Sequence, residues 1–144
     1  MLNADELQQY LADIFPAFNA RIVSLDPDRT VLELATDDGN LRPGGTISGP
    51  TLMALADAAM YAAILARIGR VALAVTTNLN INFYRKPEPG TLRAEVRILK
   101  LGQRLAVGDV LLFSNDAVQS VAHASVTYSI PPAAQASNSK NEIP

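Results

Sequence analysis

The chain has 144 residues, of which 49% are hydrophobic and 18% charged, and its formal net charge is −2 at pH 7. This length and composition are typical of one globular domain with a core of its own. The chain contains no cysteine and one histidine, which excludes disulfides, thiolate metal sites and a cysteine nucleophile. We therefore expect neither redox nor metal chemistry. The first residues do not follow the pattern of a targeting segment, and we expect a cytoplasmic protein.

Acidic and basic residues are unevenly distributed along the chain. Residues 1–40 contain eight acids and two arginines, whereas residues 67–104 contain eight basic residues and two glutamates. A nucleic-acid-binding domain is usually basic as a whole, and a pI near 5.3 argues against one. The basic second half indicates either a solvated strand face or a surface for a small anionic ligand.

The first part of the chain predicts one helix and two strands. Apolar residues at helical spacing predict an amphipathic helix over 3–15 that ends at Pro16. Alternating apolar residues then predict strands at 21–25 and 30–36.

A long apolar helix follows. Residues 43–66 are mostly small and apolar, and they carry a single charge, the carboxylate of Asp57. Pro50 suits the first turn of a helix and Gly69 its end, so we predict a helix over about 50–68. It is apolar on nearly every face, which is typical of a buried central helix. A membrane span is disfavoured because glycine and proline interrupt the stretch and the carboxylate costs about 2.5–3.5 kcal/mol in a bilayer.

After this helix the apolar period changes from 3.6 to 2. Strands are predicted at 77–84, 91–100, 104–113 and 117–130. The short turns between the later strands predict an antiparallel meander. An antiparallel sheet covered on one face by the central helix accounts for both patterns, and the helix surface left over predicts a dimer at least. We expect one domain over 1–131 and a disordered tail over 132–144.

Asp57 is the candidate catalytic group. Ionising a carboxylate in an apolar segment costs several kcal/mol without partners, which indicates either chemistry or a structural contact such as a pair with Arg42. The helix N-terminus offers unpaired backbone N–H groups, and Gly49 lets a ligand approach its N–H closely. Asp57 lies roughly 12 Å along the axis from Gly49, too far to serve the same helix end. A neighbouring subunit could therefore bring its Asp57 to this N–H.

The segment from about 41 to 130 contains several short motifs. They are Gly45, Gly49, Leu55-Ala56-Asp57 with Ala59, the run TTNLNINFYR from Thr76 to Arg85, Gly90, and Ala122-His123-Ala124. This pattern resembles the hot-dog superfamily, and within it the PaaI-like branch of acyl-CoA thioesterases. The resemblance implies an α+β hot-dog fold, an antiparallel sheet wrapped around a long hydrophobic helix.

The resemblance also implies roles for individual residues. Asp57 is expected to act as general base or nucleophile toward a thioester, and the N–H of Gly49 is expected to polarise the carbonyl. Thr76, with Thr77 beside it, is expected to hold the attacking water. Both threonines are also ordinary strand residues, because β-branched side chains favour strands.

Two positions depart from the family pattern. The usual His-Gly-Gly is Ser48-Gly49-Pro50 here, and the usual Asn before the glycine-rich segment is Arg42. Ser48 is a candidate hydrogen-bond donor to the substrate or to a neighbouring carbonyl. Arg42 is a candidate partner of Asp57 or of a substrate carboxylate or phosphate.

Further residues are candidates for contact with the rest of the substrate. In the family, the neighbourhood of Arg85 and Lys86 borders the nucleotide of coenzyme A, although the pair also suits a solvated strand end. The acyl pocket is expected to depend on the packing of four helix residues, Leu52, Met53, Met60 and Tyr61.

The sequence thus predicts a homodimer, or a dimer of dimers, that hydrolyses an acyl-CoA thioester. Coenzyme A enters as part of the substrate, and no other cofactor, nucleic acid or membrane is expected. The alternative is a non-catalytic module that binds acyl-CoA or a lipid ligand, which Ser48 and Arg42 make plausible. A hot-dog hydratase would need a histidine near the helix, and His123 fits a structural position better. A regulator would need a DNA-binding module, for which the first helix leaves no room.

Overall fold

The computed structural model describes residues 2–26 and 28–132. Within them the elements are α1 (Ala4–Ile14), β1 (Arg21–Asp26), β2 (Arg29–Ala35), α2 (Gly49–Ile68), β3 (Val75–Phe83), β4 (Thr91–Leu101), β5 (Leu105–Ser114) and β6 (Ala122–Ser129). A short 3₁₀ turn spans Asp38–Asn40. The disordered tail predicted over 132–144 lies, apart from Pro132, outside the described residues.

The six strands form one antiparallel sheet in the order β1-β2-β4-β5-β6-β3. β4, β5 and β6 form a meander, as predicted. β3 does not join its neighbour in sequence but pairs with β6 at the far edge. α2 contacts β2 to β6 across one face of the sheet, and this arrangement is the hot-dog fold. The α+β architecture expected from the resemblance is therefore confirmed.

Local sequence sets the ends of α2 and its close approach to the sheet. The hydroxyl of Ser48 accepts from the N–H of Thr51 as the N-cap, and Gly69 ends the helix with a positive φ of 95°. Five alanines of the helix are buried, Ala56, Ala59, Ala62, Ala63 and Ala66. By length and composition α2 could cross a membrane, but here it covers the sheet, and 61% of its most apolar window is buried.

α1 is tied to the sheet by one glutamine. Asn3 and Glu6 form a capping box at the start of the helix, and Leu7 and Leu11 are fully buried. The side chain of Gln8 donates to the carbonyl of residue 20 at 3.0 Å and accepts from the N–H of residue 22 at 2.8 Å. These two bonds fix the connection between α1 and β1, residues 15–20, over the surface of α2.

β6 begins later than the alternating pattern predicts, at Ala122 instead of residue 117. The intervening residues form a loop in which Asn115 has a φ of 51° and the N–H of Ala117 donates to the carbonyl of Ser114. Val118 is 92% exposed. Apolar residues in this loop imitate a strand in sequence, but the turn at Asn115 prevents them from pairing with β5.

Candidate active site

Asp57 lies in the middle of α2 and contacts two neighbouring strands. Its Oδ1 accepts from the hydroxyl of Thr76 on β3 at 2.5 Å and from the phenol of Tyr128 on β6 at 2.8 Å. The same phenol lies 3.1 Å from the backbone oxygen of Asp57. Thr76 and Tyr128 are directly opposite each other in the β3–β6 pair. Among the described residues no donor reaches Oδ2, so one carboxylate oxygen is held and the other is free to act.

Tyr128 is a buried donor beside this carboxylate. Burial raises the pKa of the Tyr128 phenol above its usual value, and the negative charge of Asp57 acts in the same direction. The ring of Tyr61 stacks on that of Tyr128, with centroids 5.9 Å apart and planes 21° apart. The Tyr61 phenol donates to the backbone oxygen of Ala72 at 2.9 Å, and burial raises its pKa to about 12. Both phenols therefore stay protonated at neutral pH.

Two cavities meet at this cluster. The first, which we call the α2 cavity, has a volume of about 530 Å³ and is lined by Phe15 and residues 17–20, by Gly39 and Asn40, by Leu34 and Tyr128, and by one side of α2 from Ser48 to Tyr61, including Asp57. The second, the β3 cavity, has about 480 Å³ and is lined by Ile14, Phe15, Tyr61, residues 72–76 and Tyr128. The two tyrosines line both cavities, so the Asp57 cluster lies at their boundary.

The N-terminus of α2 provides a free backbone donor. The N–H of Gly49 has no acceptor among the described residues, because the cap formed by Ser48 reaches Thr51 instead. A Cβ added at Gly49 would lie 3.3 Å from the ring of Phe83 at the end of β3. Glycine therefore keeps this N–H approachable, while the ring covers one side of it.

Thr77 and Arg42, two of the predicted site residues, do not contact the Asp57 cluster. The hydroxyl of Thr77 donates to the backbone oxygen of Thr127 at 3.3 Å, because a bulge in β3 at this point shifts the register. Arg42 is exposed in the glycine-rich loop and lines neither cavity. Asn40 lines the α2 cavity instead, and its backbone oxygen accepts from the N–H of Ser48 at 2.8 Å.

The predicted substrate contacts on α2 divide between three environments. Met60 is fully buried against β5, where a Cβ on Gly108 would come within 2.6 Å of its sulfur. Met53 is 40% exposed and lines neither cavity. Ser48 and Tyr61 both line the α2 cavity. The rotation of the helix, about 100° per residue, thus separates side chains that are close in sequence.

The predicted phosphate contacts lie at the end of β3. Arg85 is exposed and donates to the backbone oxygen of Ser120 at 2.7 Å, and Lys86 is exposed beside it. His123 lies on the opposite face of the sheet from α2, where its Nε2 is 3.0 Å from Asp109. Within the described residues no cluster of histidine and carboxylate side chains could hold a metal ion.

Sequence reasoning missed Tyr128 and the wall formed by residues 15–20. A signal for Tyr128 was present, because it continues the buried alternation of Ala122, Ala124 and Val126 on β6. A phenol on a buried strand face needs a polar partner, and the only acid on the predicted central helix was Asp57. The wall had no such signal, because loop position depends on the contacts of Gln8 rather than on a repeating pattern.

Comparison with known proteins identifies the family. The sequence model of the thioesterase superfamily matches residues 44–121, just over half of the chain. No curated protein matches the chain. Among solved structures, a protein of a Silicibacter species provisionally described as a thioesterase is 47% identical, with a TM-score of 0.85, and the match covers 92% of this chain and 94% of that one.

More distant structures share the fold. A point mutant of phenylacetic acid degradation protein PaaI from Thermus thermophilus is 25% identical, with a TM-score of 0.68, over 81% of this chain and 96% of that one. Zebrafish thioesterase superfamily member 2 is 22% identical, with a TM-score of 0.78, over 91% of this chain and 100% of that one. The family match, the 47% identical structure and the PaaI structure agree with the hot-dog fold and with the resemblance to PaaI-like thioesterases. The chain belongs to the thioesterase superfamily.

Proposed function

We propose that the protein hydrolyses acyl-CoA thioesters with Asp57 as the reactive carboxylate. The observation that carries this proposal is the half-buried Asp57 at the boundary of two cavities, with Oδ1 held by Thr76 and Tyr128 and Oδ2 free. A structural carboxylate would use both oxygens or pair with a cation, whereas Arg42 and the other described cations do not reach this one. The arrangement suits a group that must take up a proton or attack a carbonyl carbon.

β3 joins the two halves of the proposed site. Thr76 near its start contacts Asp57, and Phe83 at its end lies against Gly49. β3 is an edge strand of the sheet, and Val75 and Phe83 on it are more than half exposed, which favours pairing with another chain. Antiparallel pairing with β3 of a second copy about a two-fold axis would place the start of one β3, with Thr76, near the end of the partner's β3, where Phe83 lies against Gly49. The partner subunit's Gly49 would thereby approach Asp57, as the sequence predicts.

Hydrolysis follows from these positions. Oδ2 of Asp57 either removes a proton from the water that attacks the thioester carbonyl carbon or attacks that carbon itself. In both routes the carbonyl oxygen becomes an oxyanion that accepts from the N–H of the partner subunit's Gly49. The C–S bond then breaks. In the first route coenzyme A takes the proton from Asp57 and leaves as the thiol. In the second route it leaves as the thiolate, and the water that then hydrolyses the anhydride regenerates the Asp57 carboxylate and supplies the thiol proton.

The α2 cavity suits the acyl group. Its lining is largely apolar and includes the rings of Phe15, Phe18 and Tyr61, with a few polar atoms near the start of α2. Its volume of about 530 Å³ lies within the range of pockets that bury a small-molecule ligand. If the thioester carbonyl lies at Asp57, the apolar acyl chain can occupy this cavity without burying an unpaired charge.

The test replaces Asp57 by asparagine and assays a panel of acyl-CoA thioesters by release of the free thiol. Asp57→Asn should keep the fold and lower kcat by about 10³-fold or more, because the side chain loses its base and nucleophile. Asp109→Asn is the matched control, because that carboxylate lies on the opposite face of the sheet beside His123. Near-native turnover by Asp57→Asn would refute the assignment. Tight acyl-CoA binding without turnover by the native chain would instead support the non-catalytic binding module.

A further inference from the structure

We propose that Tyr128 is a positioning residue for this hydrolysis, fixing the Asp57 carboxylate so that Oδ2 is the oxygen that reacts. The inference rests on the proposed function, and it concerns a residue outside the segment that the thioesterase model matches, 44–121. It goes beyond the roles of Asp57, Gly49 and Thr76, because none of these explains what holds the carboxylate in one orientation.

The contacts of the Tyr128 hydroxyl carry the inference. It lies 2.8 Å from Oδ1 and 3.1 Å from the backbone oxygen of Asp57. Its single proton is shared between the two acceptors, with the shorter contact to the carboxylate. The Tyr128 hydroxyl thereby links the Asp57 carboxylate to the backbone of α2. Thr76 approaches the same Oδ1 from β3, so the carboxylate cannot rotate without losing both donors.

Tyr128 is itself held rigidly enough to do this. It is 3% exposed, and its ring stacks on Tyr61, whose phenol is bonded to Ala72. A donor locked by packing positions its partner more accurately than a mobile surface side chain does. Because burial keeps its pKa above the usual value, the phenol remains a donor throughout the neutral range.

The position of Tyr128 between the cavities gives a second consequence. The ring lines both the α2 cavity and the β3 cavity, so water cannot reach Oδ1 from that side without displacing it. Oδ2 is left as the oxygen that a water or a carbonyl carbon can approach. A displacement of about 1 Å at a reacting group can cost on the order of 10²-fold in rate. Loss of the phenol should therefore affect turnover more than binding.

The experiment compares Tyr128→Phe, Asp57→Asn and the double variant on one acyl-CoA substrate. Tyr128→Phe keeps the ring and its stack, so kcat should fall by about 10- to 100-fold while KM changes by less than about 3-fold. In the Asp57→Asn background the same change should cost nothing further, because Tyr128 acts through that carboxylate. Tyr10→Phe on α1, outside both cavities, is the control and should keep native kcat.

The outcomes separate the inference from the proposed function. Native turnover by Asp57→Asn would overturn both. If Asp57→Asn is strongly impaired, the proposed function stands, and three results would still overturn the positioning role. They are native kcat in Tyr128→Phe, a change in its KM alone, and a further loss of kcat in the double variant relative to Asp57→Asn. Tyr128→Phe keeps the packed ring and should fold; a native melting temperature shows that any fall in its kcat comes from the lost hydroxyl.

Discussion

The N–H of Gly49 can be tested by removing the donor without removing the helix. Gly49→Pro deletes the N–H, and the fold should tolerate it because this N–H has no acceptor among the described residues and proline is favoured in the first helical turn. The preceding residue, Ser48, already has φ −72° and ψ 152°, which is the conformation that a following proline requires. Gly49→Ala is the matched control, because it adds the same Cβ and keeps the N–H.

The contact of the added Cβ with Phe83 should cost less than the loss of the Gly49 N–H. Either variant places a Cβ 3.3 Å from Phe83, and the ring, 51% exposed, can move by the few tenths of an ångström required. We expect this contact to cost about 1 kcal/mol or less. Loss of one oxyanion donor costs about 10²- to 10³-fold in kcat, or about 2.7–4 kcal/mol. The donor should therefore dominate the difference between the two variants.

The assay measures kcat and KM by thiol release, together with the melting temperature of each variant. Gly49→Ala should stay within about 5-fold of the native kcat, whereas Gly49→Pro should lose about 10²- to 10³-fold. Equal losses in both variants would show that the contact with Phe83 matters and the N–H does not. Native turnover by Gly49→Pro with an unchanged melting temperature would remove Gly49 from the mechanism.

Mixed dimers test whether the site is shared between subunits. In a dimer of one Gly49→Pro chain and one Asp57→Asn chain, a shared arrangement leaves one site with a native Gly49 and a native Asp57. Such dimers should recover about half of the native activity. If each site lay within one chain, both sites would carry a defect and no activity would return.

Two further predictions concern the aromatic residues around the cavities. The unfolded-state phenol of Tyr61 ionises near pH 10 and the folded-state phenol near 12, so its stabilising contribution is complete below pH 10 and is lost as pH rises toward 12. From about pH 9 to about pH 11, the free energy of unfolding measured with urea should fall by an amount on the order of 1 kcal/mol because of this group. Tyr61→Phe should lack this part of the fall. An identical pH dependence in the variant and the native chain would contradict the prediction. Phe18→Ala widens the α2 cavity and should raise relative kcat/KM for bulkier acyl groups by up to about 10-fold. An unchanged ranking across an acyl-chain series would show that Phe18 does not limit the pocket.

The sequence predicted the helices and most strands because their periods are local. α2 is apolar on nearly every face and ends at a glycine, and β4 alternates along most of its length, so neither needs a distant contact to be recognised. The place of β3 at the edge beside β6 was not predictable in this way. Strand pairing depends on how the chain crosses α2, and a strand's own alternation does not name its neighbour.

The same distinction between local patterns and distant contacts applies to the residues of the site. Asp57 stands out in sequence as the single acid in an apolar helix, and the family resemblance supplied Thr76. Tyr128 contacts Asp57 across 71 residues of sequence, a separation that the packing of α2 on β6 closes, while the β3–β6 register places Thr76 beside them. Met60 was expected near the substrate but packs against Gly108 in the core, because one residue of helix rotation separates it from Tyr61.

The spacing on α2 makes a final prediction about the dimer. Gly49, Met53 and Asp57 are four residues apart and lie on one stripe of the helix. If the partner subunit's Gly49 meets Asp57 across a two-fold axis, the midpoint of the stripe, Met53, meets the partner's Met53 on that axis. Its 40% exposure in a single chain fits a surface that a second copy covers.

Because the chain has no cysteine, Met53→Cys reports on this geometry without background. Facing helices pack with axes about 8–10 Å apart. Because Cα atoms lie about 2.3 Å from each axis, the nearest Cα atoms are then about 3.4–5.4 Å apart, which overlaps the range of about 4.4–6.8 Å that a disulfide spans. Mild oxidation should convert Met53→Cys quantitatively to a covalent dimer on non-reducing gels. Val118→Cys, at a loop position that is 92% exposed, should cross-link slowly and in proportion to concentration. Equal rates for the two variants would rule out an axis at Met53 and with it the route by which Gly49 of one subunit reaches Asp57 of the other.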